Sequence, residues 1–227
     1  ATTSFLSSLT VLTMSLSTLA QQGWARARDP EKAATPYPPT AIPLSIGAAV
    51  GGVAGKIAFN AIRGSLGSAE TIGAIQAAVL FALSAATIVY TLLRSHVRTL
   101  HVSGAVPSAL IGVVTGALWA FLGIGGGPFN LVILTLLFSE GTRVAARESI
   151  LIIAFSQVAS LVYTIMSGSV PEFAPLMLVM MAAMAVAGSI AGKRVAARIS
   201  DRGTDVLYAL TLIVVMLLCV RNFLVLL

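Results

Sequence analysis

The chain has 227 residues, of which 57% are hydrophobic and only 10% are charged, and its mean hydropathy is +0.97. Soluble domains carry about 25% charged residues, so this composition excludes a soluble protein and predicts an all-α polytopic membrane protein. The net charge of +6 does not indicate nucleic-acid binding, because the basic residues lie in short loops between apolar segments, where they determine membrane orientation. The single cysteine, Cys219, allows neither an internal disulfide nor a cysteine metal cluster, and we expect no cofactor.

Seven apolar segments, labelled a to g, follow one another along the chain. All except d have about the 20 residues that a membrane-spanning helix needs. The stretches between them are too short for a soluble domain, so we expect a single membrane domain. The segments are a (4–23), b (41–62), c (71–93), d (105–139), e (145–167), f (173–192) and g (205–226).

Segment d is too long to be one span. No charged residue occurs between Arg98 and Glu140, and a helix over 105–139 would be roughly 52 Å long, whereas the hydrocarbon layer is about 30 Å thick. Four glycines and Pro128 lie at its centre, within 123–128, and an unbroken helix tolerates such a cluster badly. We therefore predict a discontinuous helix or a re-entrant hairpin, interrupted within 123–128. Transporters use such breaks to bind substrates near the middle of the bilayer.

The basic residues distinguish between two ways of threading d. If d returns to the side it came from, 11 of the 14 basic residues share one face and only Lys56, Arg63 and Arg221 lie opposite; if d crosses once, the division is 8 to 6. The positive-inside rule therefore favours the hairpin, with loops 24–40 and 195–204 both cytoplasmic. The 11 residues are Arg26, Arg28, Lys32, Arg94, Arg98, Arg143, Arg147, Lys193, Arg194, Arg198 and Arg202.

An internal repeat relates the two parts of the chain. Segment b contains Gly51-Gly-Val-Ala-Gly-Lys56, and segment f contains Gly188-Ser-Ile-Ala-Gly-Lys193, an offset of 137 residues. In the topology above, b runs outward and f runs inward, so we predict inverted halves, 1–98 and 99–227. The second half begins with d, and we expect a counterpart of d, roughly 40 residues or more, before residue 1.

The interruption in d is a candidate anion site. Glycines let the backbone turn, and Pro128 suits the first turn of a half-helix over 128–139. Free backbone N–H groups at the start of that half-helix, with the positive end of its dipole, would bind an oxyanion without a buried cation. Polar side chains in the middle of e and in segment a could add donors. The candidate residues are Gly125, Gly126, Gly127, Pro128, Phe129, Asn130, Ser156, Gln157, Ser160, Ser4, Ser8 and Thr13.

Structural explanations compete with several of these assignments. The glycines of d could serve helix packing, as expected for Gly47, Gly51 and Gly55 and for the pair Gly188 and Gly192. The hydroxyl groups of segment a could bond carbonyl groups of their own helix. Lys56 and Lys193 are expected to extend to the membrane interface. Glu148, near the cytoplasmic end of e, is a weaker candidate for proton coupling.

Three motifs resemble the TauE/SafE sulfite-exporter family. Gly123–Asn130 resembles its glycine-rich signature, 148–157 resembles the helix that follows, and 188–194 resembles its small-residue helix end; 3–4 and 51–56 match more weakly. Many members have proline where this chain has Val132. The resemblance implies a secondary transporter, in a bacterial-type plasma membrane, that moves sulfite, sulfonate or thiosulfate by alternating access.

Other function classes stay open at this point. A passive anion channel or a non-transporting membrane assembly subunit is compatible with the same residues. The sequence contains no catalytic constellation, so we expect no enzyme. Substrate identity, direction of transport, oligomeric state and coupling to protons or other ions are left open.

Overall fold

The structure, a computed structural model, is all-helical in the part of the chain that it describes. It describes 2–28, 36–66, 69–93, 97, 99–123, 125–196, 198–199 and 201–226, with backbone only for 2–4, 63–66, 69–70, 92, 201–202, 204–205 and 222–226. Eight helices lie within these residues. They are α1 (Thr2–Arg28), α2 (Ala41–Leu66), α3 (Ala69–Leu93), α4 (Ala105–Leu122), α5 (Gly127–Leu137), α6 (Thr142–Met166), α7 (Pro175–Ala196) and α8 (Asp201–Leu226).

Five of these helices are long and apolar enough to cross a membrane, namely α2, α3, α4, α6 and α7. Segment d forms two helices, because α4 ends at Leu122 and α5 begins at Gly127. The apolar runs of α5 and of Val206–Arg221 in α8 are shorter. Serine and threonine recur along α1, which is not among the five. Together the five helices make the chain an integral, multi-pass membrane protein.

Glycines bring α2 and α4 into backbone contact. A Cβ atom on Gly47, Gly51 or Gly55 would overlap the backbone of α4, at 109, 113 and 117 respectively. The prediction that these three glycines serve packing is therefore confirmed. Because the residue numbers rise together along both helices, α2 and α4 run parallel. Gly188 and Gly192 on α7 differ, since nothing in the described part of the chain lies within 4 Å of a Cβ atom added there.

The starts of α2, α4 and α6 share one end of the bundle. A Cβ atom on Gly52 would lie 2.9 Å from Ser156 Oγ, and Lys56 Nζ donates to Thr164 Oγ1 at 2.6 Å, so α2 and α6 are parallel. Arginines lie at the start of α6 and at the end of α1, and we call this the basic end.

Helix α1 runs the opposite way to α6. Tyr37 OH, just before α2, donates to Gln22 Oε1 at 2.8 Å, which places the last turns of α1 at the basic end. Phe5 lies against Phe173 at the opposite end, with ring centroids 5.5 Å apart. Helix α7 is parallel to α1, since the Ser189 hydroxyl bonds that of Ser17 at 2.9 Å. Both α1 and α7 therefore end at the basic end.

Helices α4 and α5 form a hairpin whose two outer ends meet. The backbone N–H of Leu100 donates to Leu136 O at 3.0 Å, and that of Val102 donates to Leu137 O at 2.7 Å. The last turn of α5 thus bonds the segment that leads into α4, at the basic end. The hairpin tip, which among the described residues is Gly123, Gly125 and Gly126, lies inside the bundle, where Gln76 of α3 donates from Nε2 to Phe121 O at 2.6 Å.

Candidate functional site

Two glycines with left-handed backbone conformations build the hairpin tip. Gly123 ends α4 with φ +70°, and its N–H donates to Ala120 O at 3.2 Å. Gly126 precedes α5 with φ +69°, and Pro128 follows in the first turn, where a missing N–H costs nothing. A residue with a Cβ atom would be strained at both glycines. Gly123 and Gly126 therefore determine the turn between α4 and α5.

Trp119 covers the first turn of α5. Its indole stacks on Phe129, with ring centroids 5.3 Å apart, and Nε1 donates to Asn130 Oδ1 at 2.7 Å. A Cβ atom on Gly126 would overlap this indole ring. Trp119, Phe129 and Asn130 are all buried. The start of α5 thus faces an aromatic side chain, which the glycine pattern alone did not indicate.

One predicted donor at the start of α5 is already occupied. The backbone N–H of Asn130 donates to Gly126 O at 2.7 Å, so the prediction that this group is free for an anion is wrong. The N–H groups of Gly126, Gly127 and Phe129 have no acceptor among the residues described. Asn130 has a further donor in its side chain, because its buried Nδ2 atom has no hydrogen-bond partner among the residues described.

Neighbouring helices hold the tip in place. Tyr208 of α8 donates from its hydroxyl group to Pro128 O at 2.6 Å. Ser149 of α6 donates to Gly127 O at 3.3 Å. Both bonds use carbonyl groups of the first turn of α5, and both leave its N–H groups available.

A cavity of about 520 Å³ lies between α1, α2, α6 and the hairpin tip. Five of the predicted site residues line it, and these come from segment a, the tip and segment e. They are Ser8, Gly125, Ser156, Gln157 and Ser160.

The other predicted residues lie elsewhere. Five predicted residues lie outside the cavity wall because Trp119 covers the start of α5, and these are Gly126, Gly127, Pro128, Phe129 and Asn130. Thr13 bonds its own helix, at 2.8 Å from Leu9 O, and the side chain of Ser4 lies outside the described residues.

Gln157 links the cavity to the hairpin tip. Its Nε2 atom lies 3.9 Å from the position of a Cβ atom on Gly125, which also contacts Val11 of α1. Its Oε1 atom is buried and has no hydrogen-bond partner within the part of the chain that is described. Because Oε1 can only accept a hydrogen bond, the Nε2 group beside the tip is the part of this amide that can donate to an anionic ligand.

Lys56 is a residue that sequence reasoning did not assign to the site. It lines the cavity, and its Nζ donates to Thr164 Oγ1 at 2.6 Å and to Ser160 O at 3.2 Å. Among the described residues of the wall it is the one charged side chain. The cavity therefore contains a cation, which the sequence analysis did not expect, and the extension of Lys56 to the membrane interface stays a prediction. Two features of the sequence could have indicated this role. Lys56 lies inside an apolar helix, and the pair Gly55-Lys56 recurs as Gly192-Lys193.

These features define a class of protein: a multi-pass membrane protein with an interrupted helix and a polar, positively charged internal cavity, as transporters have. The chain belongs to the sulfite exporter TauE/SafE family, whose model matches residues 3–220. The resemblance predicted from three motifs is thus confirmed, and it places the chain in a family of membrane transporters. A comparison with curated proteins found no match, and neither did a comparison with solved structures.

Proposed function

We propose that this protein moves small sulfur-containing oxyanions across the membrane through the cavity beside the hairpin tip. The observation that carries the proposal is the chemistry of the wall. Hydroxyl groups, amides and the Lys56 ammonium line it, and its described residues include no carboxylate. A tetrahedral or pyramidal oxyanion accepts several hydrogen bonds, and one nearby cation strengthens its binding. Membership of the TauE/SafE family supports the same substrate class.

The anion is proposed to lie between Lys56 and the tip, with Gln157 as a donor. Ser8, Ser156 and Ser160 supply hydroxyl groups around it. The first turn of α5 acts from behind Trp119, through the positive end of its helix dipole. Residues 126–130 therefore belong to the site as the source of that dipole, and Gly125 is the member of the cluster in contact with the ligand.

Alternating access is proposed to follow from an inverted repeat. Exchanging α1 with α6, α2 with α7 and α3 with α8 maps the α2–α6 contact onto the α1–α7 contact, and both are present. The α1–α6 and α3–α8 contacts map onto themselves and are present too. Lys56 Nζ donates to Ser160 O, and its counterpart Lys193 Nζ donates to Gln21 O at 3.4 Å. Helices α1 and α6 run in opposite directions, and so do α2 and α7, as inverted halves require.

The uncovered face of α7 supports the same division into halves, 1–98 and 99–227. On α2, glycines at 47, 51 and 55 receive α4, whereas the glycines at 188 and 192 of α7 have open space before them. We propose that a counterpart of the α4–α5 hairpin occupies this face of α7, as the repeat requires.

The hairpin is proposed to be re-entrant, with the basic end of the bundle cytoplasmic. Its outer ends bond each other at 100–102 and 136–137, and the parallel directions of α2 and α6 require an even number of crossings between their starts. This topology can be tested with the single-cysteine variants Trp24→Cys and Ile199→Cys, made in a protein in which Cys219 has been replaced. Both should react with an impermeant thiol reagent from the same side, and labelling from opposite sides would refute the topology.

Flux measurements test the function. Purified protein in proteoliposomes is given sulfite, thiosulfate, sulfate and an organic sulfonate, and exchange of each anion is followed with no ion gradient. We expect exchange of at least one sulfur oxyanion, and weaker binding with an intact fold for Gln157→Ala. A protein that neither binds nor moves any of these anions would be an assembly subunit instead. Voltage-independent flux that never saturates would indicate a passive channel.

A further inference from the structure

A pair of carboxyl groups is buried at the basic end, outside the cavity wall. Glu148 of α6 is 0% exposed, and neither of its carboxyl oxygens has a donor among the described residues. Glu140, which follows α5, places its carboxyl group beside that of Glu148. Its Oε2 atom is likewise buried and without a donor in the described chain. Two carboxyl groups that face each other can form a hydrogen bond only with a proton between them.

The surroundings of Glu148 are apolar on its own helix face. Ala145 and Ile152, one turn before it and one turn after it, pack with residues of α2 and α5 in a buried cluster. At this level α2 contributes Ser45, whose hydroxyl group is fully buried and unpartnered among the residues described, and 41–48 contain no titratable side chain. A charged carboxylate is costly in such surroundings, and a shared proton removes one charge and completes a hydrogen bond.

The other titratable groups near the pair come from α6 and from the segment before α2. Arg143 and Arg147 lie on the first turns of α6, and the Arg147 guanidinium lies over the Tyr37 ring, 5.2 Å from its centroid. Burial raises the pKa of the Tyr37 phenol, and Arg147 opposes that shift. Arg147 and Tyr37 thus lie near the pair at the basic end, and Glu140, which is only partly buried, can exchange a proton with water there.

The pair is connected to the hairpin that carries the transport site. Ser149, next to Glu148, donates to Gly127 O at the first turn of α5. At the other end of α5, the Glu140 N–H donates to Leu134 O at 3.3 Å. A change in the distance between the two carboxyl groups therefore acts on both ends of α5. Two negative charges repel each other, and the negative end of the α5 dipole adds to that repulsion.

We propose that Glu140 and Glu148 form a proton-binding site that couples anion transport to H⁺, an inference that rests on the proposed function. In one state the pair shares a single proton and holds α5 against α6. In the other, the proton has left to water at the basic end, both groups are carboxylates, and the contact loosens. One proton that moves with one monoanion leaves the net charge of the cycle at zero.

Proteoliposomes separate this inference from the proposed function. Anion exchange without a pH gradient measures substrate transport alone. Net accumulation at a pH difference of one unit, with the voltage clamped at zero, measures coupling; one proton per monoanion gives an accumulation ratio of about tenfold. An entrapped pH dye reports the accompanying proton movement. The variants are Glu148→Gln and Glu140→Gln, and the control is Glu172→Gln, in the loop at the opposite end.

We expect the parent protein and Glu172→Gln to show exchange, accumulation and proton movement together. Glu148→Gln should keep exchange within about twofold but lose accumulation and the dye signal, and Glu140→Gln should do the same if Glu148→Gln does not fold. The inference is overturned if either folded variant accumulates anion and moves protons like the parent. It is also overturned if the parent exchanges anion without any response to the pH gradient. No exchange in the parent would overturn the proposed function instead.

Discussion

Replacing Lys56 by methionine is the most direct test of the cavity as an anion site. The ammonium group has three N–H donors, and two of them bond Ser160 O and Thr164 Oγ1, which leaves one for a ligand. A hydrogen bond to a charged group contributes about 1.5–3 kcal/mol. Its loss should weaken anion binding by roughly 10- to 150-fold. The fold should survive, because Thr164 Oγ1 also donates to Ser160 O at 2.8 Å and these two groups keep each other as partners.

The repeat supplies a matched control for this measurement. Lys193→Met removes the lysine at the equivalent position, which also donates to a helix carbonyl group, that of Gln21, but which is exposed and outside the cavity wall. Dissociation constants of the purified variants, measured by titration calorimetry with the anion that the parent exchanges, should rise for Lys56→Met and stay at the parent value for Lys193→Met. Equal affinities in Lys56→Met and the parent would show that the anion does not bind beside this ammonium group.

Three further predictions concern the hairpin and its packing. Gly126→Leu should abolish anion flux, because its Cβ atom overlaps the Trp119 indole in a left-handed backbone conformation; flux like that of the parent would contradict this. Trp119→Phe leaves Asn130 Oδ1 buried without its donor and should cost about 1–3 kcal/mol of stability, seen as a lower melting temperature in detergent. Gly51→Leu should lower that temperature by more than Gly23→Leu on α1, since a Cβ atom on Gly51 overlaps the backbone of α4 and one on Gly23 meets nothing described within 4 Å, and equal shifts would count against the α2–α4 contact.

The break in segment d could be located from the sequence because length and backbone chemistry determine it. A run without charge over 105–139 exceeds one span, and glycines at 123 and 126 with Pro128 allow few other places for a turn. Gln157 and Ser160 could be chosen as candidates because polar groups in the middle of a span are costly unless they have partners. Both line the cavity.

What the sequence did not show depends on side-chain direction. Lys56 was not expected in the cavity wall, because the rotation of α2 that directs it there is set by packing of α2 on α4 and α6. Trp119 was not recognised as the cover of the tip, since its contact with Gly126 depends on the angle between α4 and α5. Neither quantity is encoded in local sequence patterns.

The glycine contact between α2 and α4 also determines which helices can slide. Backbone atoms of the two helices interlock at 47, 51 and 55, so one cannot shift along the other without losing contact over several turns, and interiors packed in this way do not deform gradually. In the proposed transport cycle we therefore expect α2 and the hairpin to move as one rigid body. The α1–α7 contact is of another kind, because the hydroxyl groups of Ser17 and Ser189 and the amide of Gln21 meet there. Such groups exchange partners over small displacements, so we expect the shear motion of the proposed cycle at α1 and α7, while Lys56 of α2 keeps its position relative to the hairpin.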